Sequence, residues 1–179
     1  VVDYAPGASP AAAVGNWIAS GFRDGPGGYW DGPGIASSVA AADQDFLTAV
    51  GVLDNTDAKV GGKTTFAGEA VDATSILVTY TWWGDANLDG VVDANDYDVI
   101  DKNYLFPPVP DNMGWWTGDF TYDGVIDAND YDRIDKAYLF QTGPLAAADG
   151  VAPVPTPEPA TLALVAVGVL ALTRRRRAA

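Results

Sequence analysis

The chain contains no cysteine and no histidine among its 179 residues. These two absences exclude disulfide bonds, zinc sites with thiolate or imidazole ligands, cysteine nucleophiles and a Ser–His–Asp triad. Glutamate is nearly absent as well, because every acid other than Glu69 and Glu158 is an aspartate. Short aspartate side chains suit the tight oxygen cages that hold hard cations. The metal chemistry left open to this chain is therefore that of oxygen ligands.

Positive charge is also scarce in this sequence. The chain carries 10 lysines and arginines against 24 aspartates and glutamates, which gives a formal net charge of -14. Four of the positive charges stand together at residues 174–177, so the rest of the chain is more acidic than the total indicates. Phosphate binding needs the opposite sign of charge, and we therefore expect no nucleic-acid partner.

Composition divides the chain into four stretches. Residues 1–83 are rich in Gly, Ala, Ser and Thr, and residues 84–140 contain an internal repeat. A linker rich in proline and alanine follows at residues 141–159, and residues 160–179 are an apolar run followed by arginines. This length allows one modest domain with appendages. Since the chain begins at Val1 rather than at a methionine, we expect the first stretch to be the end of a larger upstream domain.

Short apolar runs alternate with glycine and proline in the first stretch. Residues 75–83 (SILVTYTWW) have the β-branched and aromatic content of a strand. Residues 51–53 and 64–66 are weaker strand candidates, whereas the alanine-rich residues 35–50 predict a helix. Gly and Pro recur throughout residues 25–34 and predict a loop. The first stretch is therefore predicted to be a small β-rich segment.

The two copies of the repeat have the same length and similar sequences. Residues 84–106 align with residues 118–140 at an offset of 34, with identity at 17 of 23 positions. Trp82 and Trp116 align at the same offset. Repeats this short and this similar form two copies of one supersecondary unit, which bury their apolar faces together.

Each copy contains a twelve-residue loop with the ligand pattern of a calcium site. Oxygen-bearing side chains occupy positions 1, 3, 5, 9 and 12, position 7 offers its backbone carbonyl, and position 6 is the glycine that the sharp turn needs. The predicted ligands of the first loop are Asp85, Asn87, Asp89, Val91, Asp93 and Asp96. Those of the second loop are Asp119, Thr121, Asp123, Val125, Asp127 and Asp130. Hard oxygen ligands of this kind select Ca²⁺, so the sequence predicts two calcium sites.

A helix is predicted after each loop. Tyr97, Ile100 and Tyr104 have the spacing of one helical face, and the same residues recur 34 positions later. The alternative is a pair of acidic helices whose charges only face solvent, but both loops then carry the glycine and all five oxygen residues without purpose. We also expect Val92, at loop position 8, to pair with Ile126 in a short strand contact.

Two features set these loops apart from ordinary EF-hands. Position 12 is aspartate rather than glutamate, and no amphipathic helix precedes either loop. In these features residues 84–140, about a third of the chain, resemble type I dockerins. The resemblance implies two loop–helix (F-hand) motifs packed antiparallel about a pseudo-twofold axis. It also implies attachment to a cohesin-like domain or a cell-surface scaffold, in two pseudo-symmetric orientations.

Two departures from the dockerin pattern affect what the resemblance implies. Loop positions 10 and 11, which help choose the partner, are Ala-Asn at residues 94–95 and 128–129 rather than a Ser-Thr-type pair. Thr121 stands at position 3, where a neutral hydroxyl is a poorer ligand, so the second site is expected to be the weaker one. The alternative to docking is a calcium-stabilised structural tail of a surface protein.

The last residues resemble a sorting signal. Residues 157–159 are Pro-Glu-Pro, residues 160–172 are apolar, and an arginine cluster follows. The apolar run is shorter than the roughly 20 residues that span a bilayer. This order resembles the PEP-CTERM signal, over about residues 154–179, as in exported planctomycete-type proteins. It implies processing by an exosortase, a link to polysaccharide, and a location in the cell envelope or outside the cell with a transient or retained C-terminal membrane anchor.

No enzyme is expected within this chain. A glycosidase needs two carboxylates at a defined separation, and the acids of residues 1–83 show no recognisable arrangement of that kind. An open alternative is the non-catalytic end of a carbohydrate-active enzyme. The predicted fold is a small α+β protein with a β-rich N-terminal segment, two antiparallel loop–helix motifs, a linker and a C-terminal apolar helix.

Overall fold

The computed structural model describes residues 1–22, 29–57, 61–108 and 113–145. The described residues belong to one compact unit with α+β architecture. The predicted β-rich N-terminal part and the helices that follow it are confirmed. The linker beyond residue 145 and the predicted apolar helix at residues 160–179 lie outside the described residues. Within the described residues, no helix is long and apolar enough to cross a membrane.

A three-stranded antiparallel sheet forms the N-terminal part. Strand β5, Ser75–Trp82, lies in the centre, with β1, Val2–Asp3, on one side and β2, Thr48–Asp54, on the other. Val50 lies opposite Tyr80 in the β2–β5 register. The β-branched and aromatic residues of β5 favour a pleated, half-buried strand. The strands predicted at residues 75–83 and 51–53 are confirmed.

A second, two-stranded sheet is a short hairpin. Strand β3, Thr65–Phe66, pairs with β4, Glu69–Ala70, across the two residues Ala67 and Gly68. Both central residues have positive φ, 52° and 80° respectively, as a type I′ hairpin turn requires. The weaker strand prediction at residues 64–66 is therefore confirmed.

The helix predicted at residues 35–50 is wrong over most of its length. Helix α2 covers only Ser38–Ala42, and strand β2 begins at Thr48. The Asp43 carboxylate accepts hydrogen bonds from the backbone N–H groups of Asp45 and Leu47 and from the Thr48 hydroxyl. These local bonds compete with helix formation and turn the chain into the strand.

Sequence patterns gave no prediction for helix α1, Ala11–Phe22. Its buried residues are Ala11, Val14, Ile18 and Gly21, which lie on one helical face. The signals available were a start at Ser9, whose hydroxyl accepts a bond from the Ala11 N–H, and the i, i+4 pair of Val14 and Ile18. The surrounding glycine and alanine content obscured that pattern.

Buried aromatic rings join the N-terminal part to the repeat. The Trp83 ring lies 5.2 Å from Phe22, 6.1 Å from Trp30 and 5.7 Å from Trp115, measured between ring centroids. Trp83 and Trp115 are both fully buried. The residues before position 84 and the residues of the repeat therefore share one hydrophobic core.

The two helices of the repeat exchange hydrogen bonds. They are α3, Ala94–Leu105, and α4, Ala128–Phe140, and a short 3₁₀ turn, Trp115–Thr117, precedes the second loop. The Tyr97 hydroxyl donates to the Asp135 carboxylate, and the Tyr131 hydroxyl donates to the Asp101 carboxylate, both at 2.6 Å. These two bonds map onto each other at the repeat offset of 34.

Tyrosine rings show how the helices run. Tyr97, near the start of α3, makes an edge contact at 5.7 Å with Tyr138, near the end of α4. Tyr131, near the start of α4, makes the same contact at 5.8 Å with Tyr104, near the end of α3. Since the start of each helix meets the end of the other, α3 and α4 are antiparallel.

Two equivalent glycines receive the buried isoleucines of the opposite helices. Gly84 has φ of +90°, and a Cβ there would lie 2.4 Å from Ile134 Cγ1. Gly118 has φ of +106°, and a Cβ there would lie 2.9 Å from Ile100 Cγ1. Both isoleucines are fully buried, as the predicted helical faces require, whereas Tyr104 and Tyr138 of the same faces are about half exposed. Each copy thus supplies the glycine that lets the helix of the other copy approach.

Alanine at either glycine should destabilise the protein. The expected loss for Gly84→Ala or Gly118→Ala is about 2–4 kcal/mol, from left-handed backbone strain together with overpacking against an isoleucine. Urea unfolding in calcium measures the change. Gly62→Ala is the control, because Gly62 has φ of +80° and open space around a Cβ. Equal losses at Gly62 and Gly84 would contradict the packing argument.

Candidate metal centre

The first loop follows directly from the central strand. Trp83 continues the pairing of β5, its N–H donating to the Leu47 carbonyl at 3.0 Å. Gly84 then turns the chain, and Asp85 begins the loop as a fully buried residue. The sheet therefore fixes where the loop starts.

The carboxylate at loop position 1 organises the turn. Asp85 Oδ1 accepts the Asp89 N–H at 3.1 Å, and Oδ2 accepts the Gly90 N–H at 2.9 Å. The Thr81 hydroxyl, on strand β5, also donates to Oδ2. Burial raises the pKa of Asp85 to about 6, and the nearby charge of Asp89 adds to that rise.

The carboxylate at position 12 closes the same loop. Asp96 is fully buried, and its Oδ1 accepts the N–H groups of Ala86 and Asn87 at 2.9 and 3.3 Å. Its Oδ2 accepts the Asp93 N–H at 2.8 Å, which completes a capping box at the start of α3. Burial, together with the charges of Asp85 and Asp89, raises the pKa of Asp96 to about 7.

The second loop repeats this arrangement. Asp119, at position 1, accepts the N–H groups of Asp123 and Gly124 at 3.1 and 3.0 Å. Asp130, at position 12, accepts the N–H groups of Thr121 and Asp127, both at 2.9 Å. Burial raises the pKa of Asp119 to about 6 and also raises the pKa of Asp130. The Gly124 hydrogen bond opposes this rise at Asp119, and the charges of Asp130 and Asp123 add to the pKa.

Positions 3, 5 and 7 follow one another in local turns. In the first loop the Asn87 side-chain oxygen accepts the Asp89 N–H at 2.8 Å, and Asp89 Oδ1 accepts the Val91 N–H at 3.0 Å. In the second loop Asp123 Oδ1 accepts the Val125 N–H at 2.9 Å. Such side-chain turns wind the backbone tightly.

Position 9 stands apart from the other acids. Asp93 and Asp127 are the N-cap residues of α3 and α4, and their carboxylates accept the N–H groups of Asn95 and Asn129 at 2.7 Å. The charges of Asp85 and Asp89 help to raise the pKa of Asp96, and those of Asp130 and Asp123 help to raise the pKa of Asp119. The carboxylates at positions 1 and 12 thus bond to backbone N–H groups within their loops, whereas the carboxylate at position 9 caps the helix.

Thr121 presents a buried oxygen at position 3 of the second loop. Its Oγ1 makes no hydrogen bond of acceptable geometry, although it is near enough to the Asp130 carboxylate to interact with it electrostatically. A buried hydroxyl without a partner costs about 1–3 kcal/mol. A hydroxyl oxygen of this kind belongs to the donor types that bind a hard cation.

The donor chemistry of both loops fits calcium, but the side chains are not arranged as a finished cage. In the part of the chain that the structure describes, no group of three or more His, Cys, Asp or Glu side chains is placed to hold a metal ion. The carboxylate oxygens at positions 1 and 12 instead bond to backbone N–H groups of their own loops. Ligation would require these side chains to reorient about a loop that is already wound.

The predicted strand contact between Val92 and Ile126 is wrong. The Gln141 side chain takes the place of a neighbouring strand, because its Nε2 donates to the Val92 carbonyl at 2.7 Å and its Oε1 accepts the Val92 N–H at 2.9 Å. An amide side chain carries the same donor and acceptor as a peptide group. Position 8 of the first loop is thereby bonded to the residue that follows α4.

Sequence patterns also missed three residues around the loops. Thr81 holds Asp85, the Trp115 indole Nε1–H donates to the Asp85 carbonyl at 2.7 Å, and the Tyr122 hydroxyl donates to the Val50 carbonyl at 2.6 Å. The contacts of Trp115 and Tyr122 join residues 30 and 72 positions apart, which only the tertiary fold brings together. No periodicity or motif marks these residues.

The tail matches a known sorting signal. Residues 155–177 match the family model of the PEP-CTERM protein-sorting motif. The match confirms the assignment of the tail and indicates an exported protein, sorted to the cell envelope and processed by an exosortase. No curated protein and no solved structure matches the chain. The dockerin resemblance of residues 84–140 stays a prediction.

The metal-free protein should lose stability as the pH rises. The folded-state pKa values of Asp85, Asp96 and Asp119 lie above the ordinary value of 3.8. Their favourable contribution is complete below that value and is lost as the pH rises through about 6 to 7. Thermal unfolding with chelator should show Tm falling by roughly 5 °C or more between about pH 5 and pH 8. Asp96→Asn should flatten the profile, whereas a Tm that rises over this range would contradict the prediction.

Proposed function

We propose that residues 84–140 form a calcium-binding, dockerin-like module that attaches an exported protein to a partner at the cell surface. The observation that carries the proposal is the burial of two carboxylates in each loop. Asp85, Asp96, Asp119 and Asp130 are all buried. Among the described residues, their hydrogen-bond donors are backbone N–H groups and the Thr81 hydroxyl.

Buried carboxylates without a cationic partner oppose folding at neutral pH. Taking a charge out of water is costly unless an opposite charge compensates for it, and the close carboxylates of each loop also repel one another. When bound, calcium supplies two positive charges and accepts six to eight oxygen ligands. The loops offer oxygen donors of the required type, in the required order, at two places in the chain.

Each loop would use the ligands predicted for it. Asp96 and Asp130, at position 12, would act as bidentate ligands, and the capping aspartates at position 9 would act through water. The position-7 carbonyls of Val91 and Val125 complete the two donor sets. The second site is proposed to be the weaker one, because Thr121 offers a neutral hydroxyl where the first loop offers an amide oxygen.

The exchanged contacts of α3 and α4 support an F-hand pair. Tyr97 and Tyr131 each bond to an aspartate of the opposite helix at 2.6 Å. Gly84 and Gly118 each receive an isoleucine from the opposite copy. Two loop–helix halves that pack through equivalent residues are what the dockerin resemblance implies.

Exposed apolar residues support attachment to a protein. Leu105 and Phe106, at the end of α3, are 68% and 79% exposed, and Leu139 and Phe140, at the end of α4, are 70% and 62% exposed. Large exposed apolar side chains in contiguous groups mark interaction surfaces. Because the helices are antiparallel, the two pairs form equivalent surfaces for a cohesin-like partner or a surface scaffold.

A structural role for calcium is the second candidate. Thr81 and Trp115 both bond to Asp85, the first residue of the first loop. A calcium ion that orders the first loop would therefore also stabilise strand β5 and the aromatic core. On this reading the bound ions stabilise the whole unit, as a calcium-stabilised tail of a surface protein or the non-catalytic end of a carbohydrate-active enzyme. Neither candidate gives the chain a catalytic role.

Calorimetry should detect two calcium ions per chain. Asp96→Ala should remove the first site and Asp130→Ala the second, each lowering affinity at its own loop by about 100-fold or more, as loss of a bidentate carboxylate predicts. Chelator should reduce the helical circular dichroism of the wild-type chain. Asp98→Ala is the matched control, since Asp98 is an exposed acid on α3 outside the loop. Absence of binding, or unchanged binding in Asp96→Ala, would refute the assignment.

A capture experiment separates attachment from a structural role. The wild-type chain, presented to a panel of cohesin domains, should be retained in calcium and released by chelator. The double substitution Phe106→Ala and Phe140→Ala should weaken capture by about tenfold or more, because both exposed ring surfaces are lost. Calcium-dependent stability without capture by any cohesin would favour the structural candidate.

A further inference from the structure

Residues 141–145 form a strap across the first loop. Besides the paired bonds between Gln141 and Val92, the Trp82 indole Nε1–H donates to the Gly143 carbonyl at 3.0 Å. The Leu145 N–H donates to the Gly90 carbonyl at 2.8 Å. All of these contacts fall on the first loop or on the strand end immediately before it.

The strap is specific to the first loop. The residue equivalent to Gln141 in the first copy is Pro107, whose side chain has neither a donor nor an acceptor. Gly90 and Gly124 both stand at position 6, with φ of +88° and +84°. A Cβ at Gly90 would lie 2.1 Å from the Leu145 carbonyl oxygen, whereas a Cβ at Gly124 would meet nothing within 4 Å. The strap backbone packs on the backbone of the first loop, whereas no described residue covers the equivalent glycine of the second loop.

Strap contacts surround the carbonyl ligand of the first loop. Gly90 and Val92, which bond to the strap, are the neighbours of Val91, whose carbonyl is the position-7 ligand. The Gly90 N–H also holds the Asp85 carboxylate at position 1. Gly90 thus bonds through its N–H to the Asp85 carboxylate and through its carbonyl to the strap residue Leu145.

We infer that docking of the strap and calcium binding at the first loop are one coupled equilibrium. This inference rests on the proposed calcium function. The wound backbone of the first loop presents the Gly90 carbonyl and the Val92 backbone groups to the strap, and calcium binding would fix that backbone. Linkage is reciprocal, so the docked strap raises calcium affinity at this loop by the same factor by which calcium stabilises docking.

Through this coupling, calcium controls the docking of residues 141–145, which precede the sorting motif in the sequence. Leu145 lies ten residues before residue 155, where the sorting motif begins. An exported protein passes from a compartment with little free calcium to surroundings where weak sites of millimolar affinity are filled. The inferred coupling therefore shifts the equilibrium of residues 141–145 further toward the docked state after export.

Hydrogen exchange on the full chain tests this inference. The amides of Val92 and Leu145 should exchange at least about fivefold faster in chelator than in calcium. In calcium, Asp96→Asn should show the same acceleration, and the equivalent Asp130→Asn should leave both amides within about twofold of wild type. Circular dichroism in calcium verifies that both variants are folded.

Calcium titration of a strap variant tests the reverse direction. On the Asp130→Asn background, which leaves the first loop as the strong site, Gln141→Ala should weaken calcium binding by about fivefold or more. Thr142→Ala is the control, because Thr142 is an exposed strap residue outside these hydrogen bonds. Wild-type affinity in Gln141→Ala would overturn the coupling.

The outcomes keep the two proposals distinct. If the wild-type chain binds no calcium, the proposed function and the coupling both fail. If two ions bind but Asp96→Asn and Asp130→Asn change strap exchange equally, the coupling alone is overturned and the calcium function stands.

Discussion

The buried aspartates of the two loops impose the constraint on which the rest of this structure depends. In each loop two buried carboxylates accept backbone N–H groups from residues three to ten positions away along the chain. Those bonds wind the loop and start the helix, so the same oxygens determine both the local fold and the proposed chemistry. The cost of that arrangement is burial of charge, which raises the pKa values of these acids.

Tertiary contacts turn two local motifs into one body. The rings of Trp83 and Trp115 lie where the sheet, helix α1 and the second loop meet. Arg133 lies over the Trp83 ring at 5.1 Å, which places α4 against the same cluster. The sheet is therefore part of the environment of the loops, and the proposed calcium ions would act on the N-terminal part through it.

Prediction from the sequence succeeded where the determinants are local. Glycine and aspartate spacing marked both loops, and helical spacing found the buried Ile100 and Ile134. The helix expected at residues 35–50 failed because one side chain, Asp43, redirects the backbone. Gln141 was missed because it acts on a residue 49 positions away, and a lone glutamine after a helix carries no pattern.

The exchanged packing of the two copies explains where their sequences have diverged. Positions at which one copy touches the other, such as Gly84 with Ile134, are identical in both copies. Several positions that differ face the unduplicated part of the chain: Tyr122 replaces leucine and bonds to Val50, and Arg133 replaces valine and lies over Trp83. A substitution at a residue that contacts the other copy disturbs the packing of both copies. A substitution at a residue that contacts the unduplicated part of the chain affects one copy alone. These sequence differences between the two copies therefore occur where each copy packs against a different part of the chain.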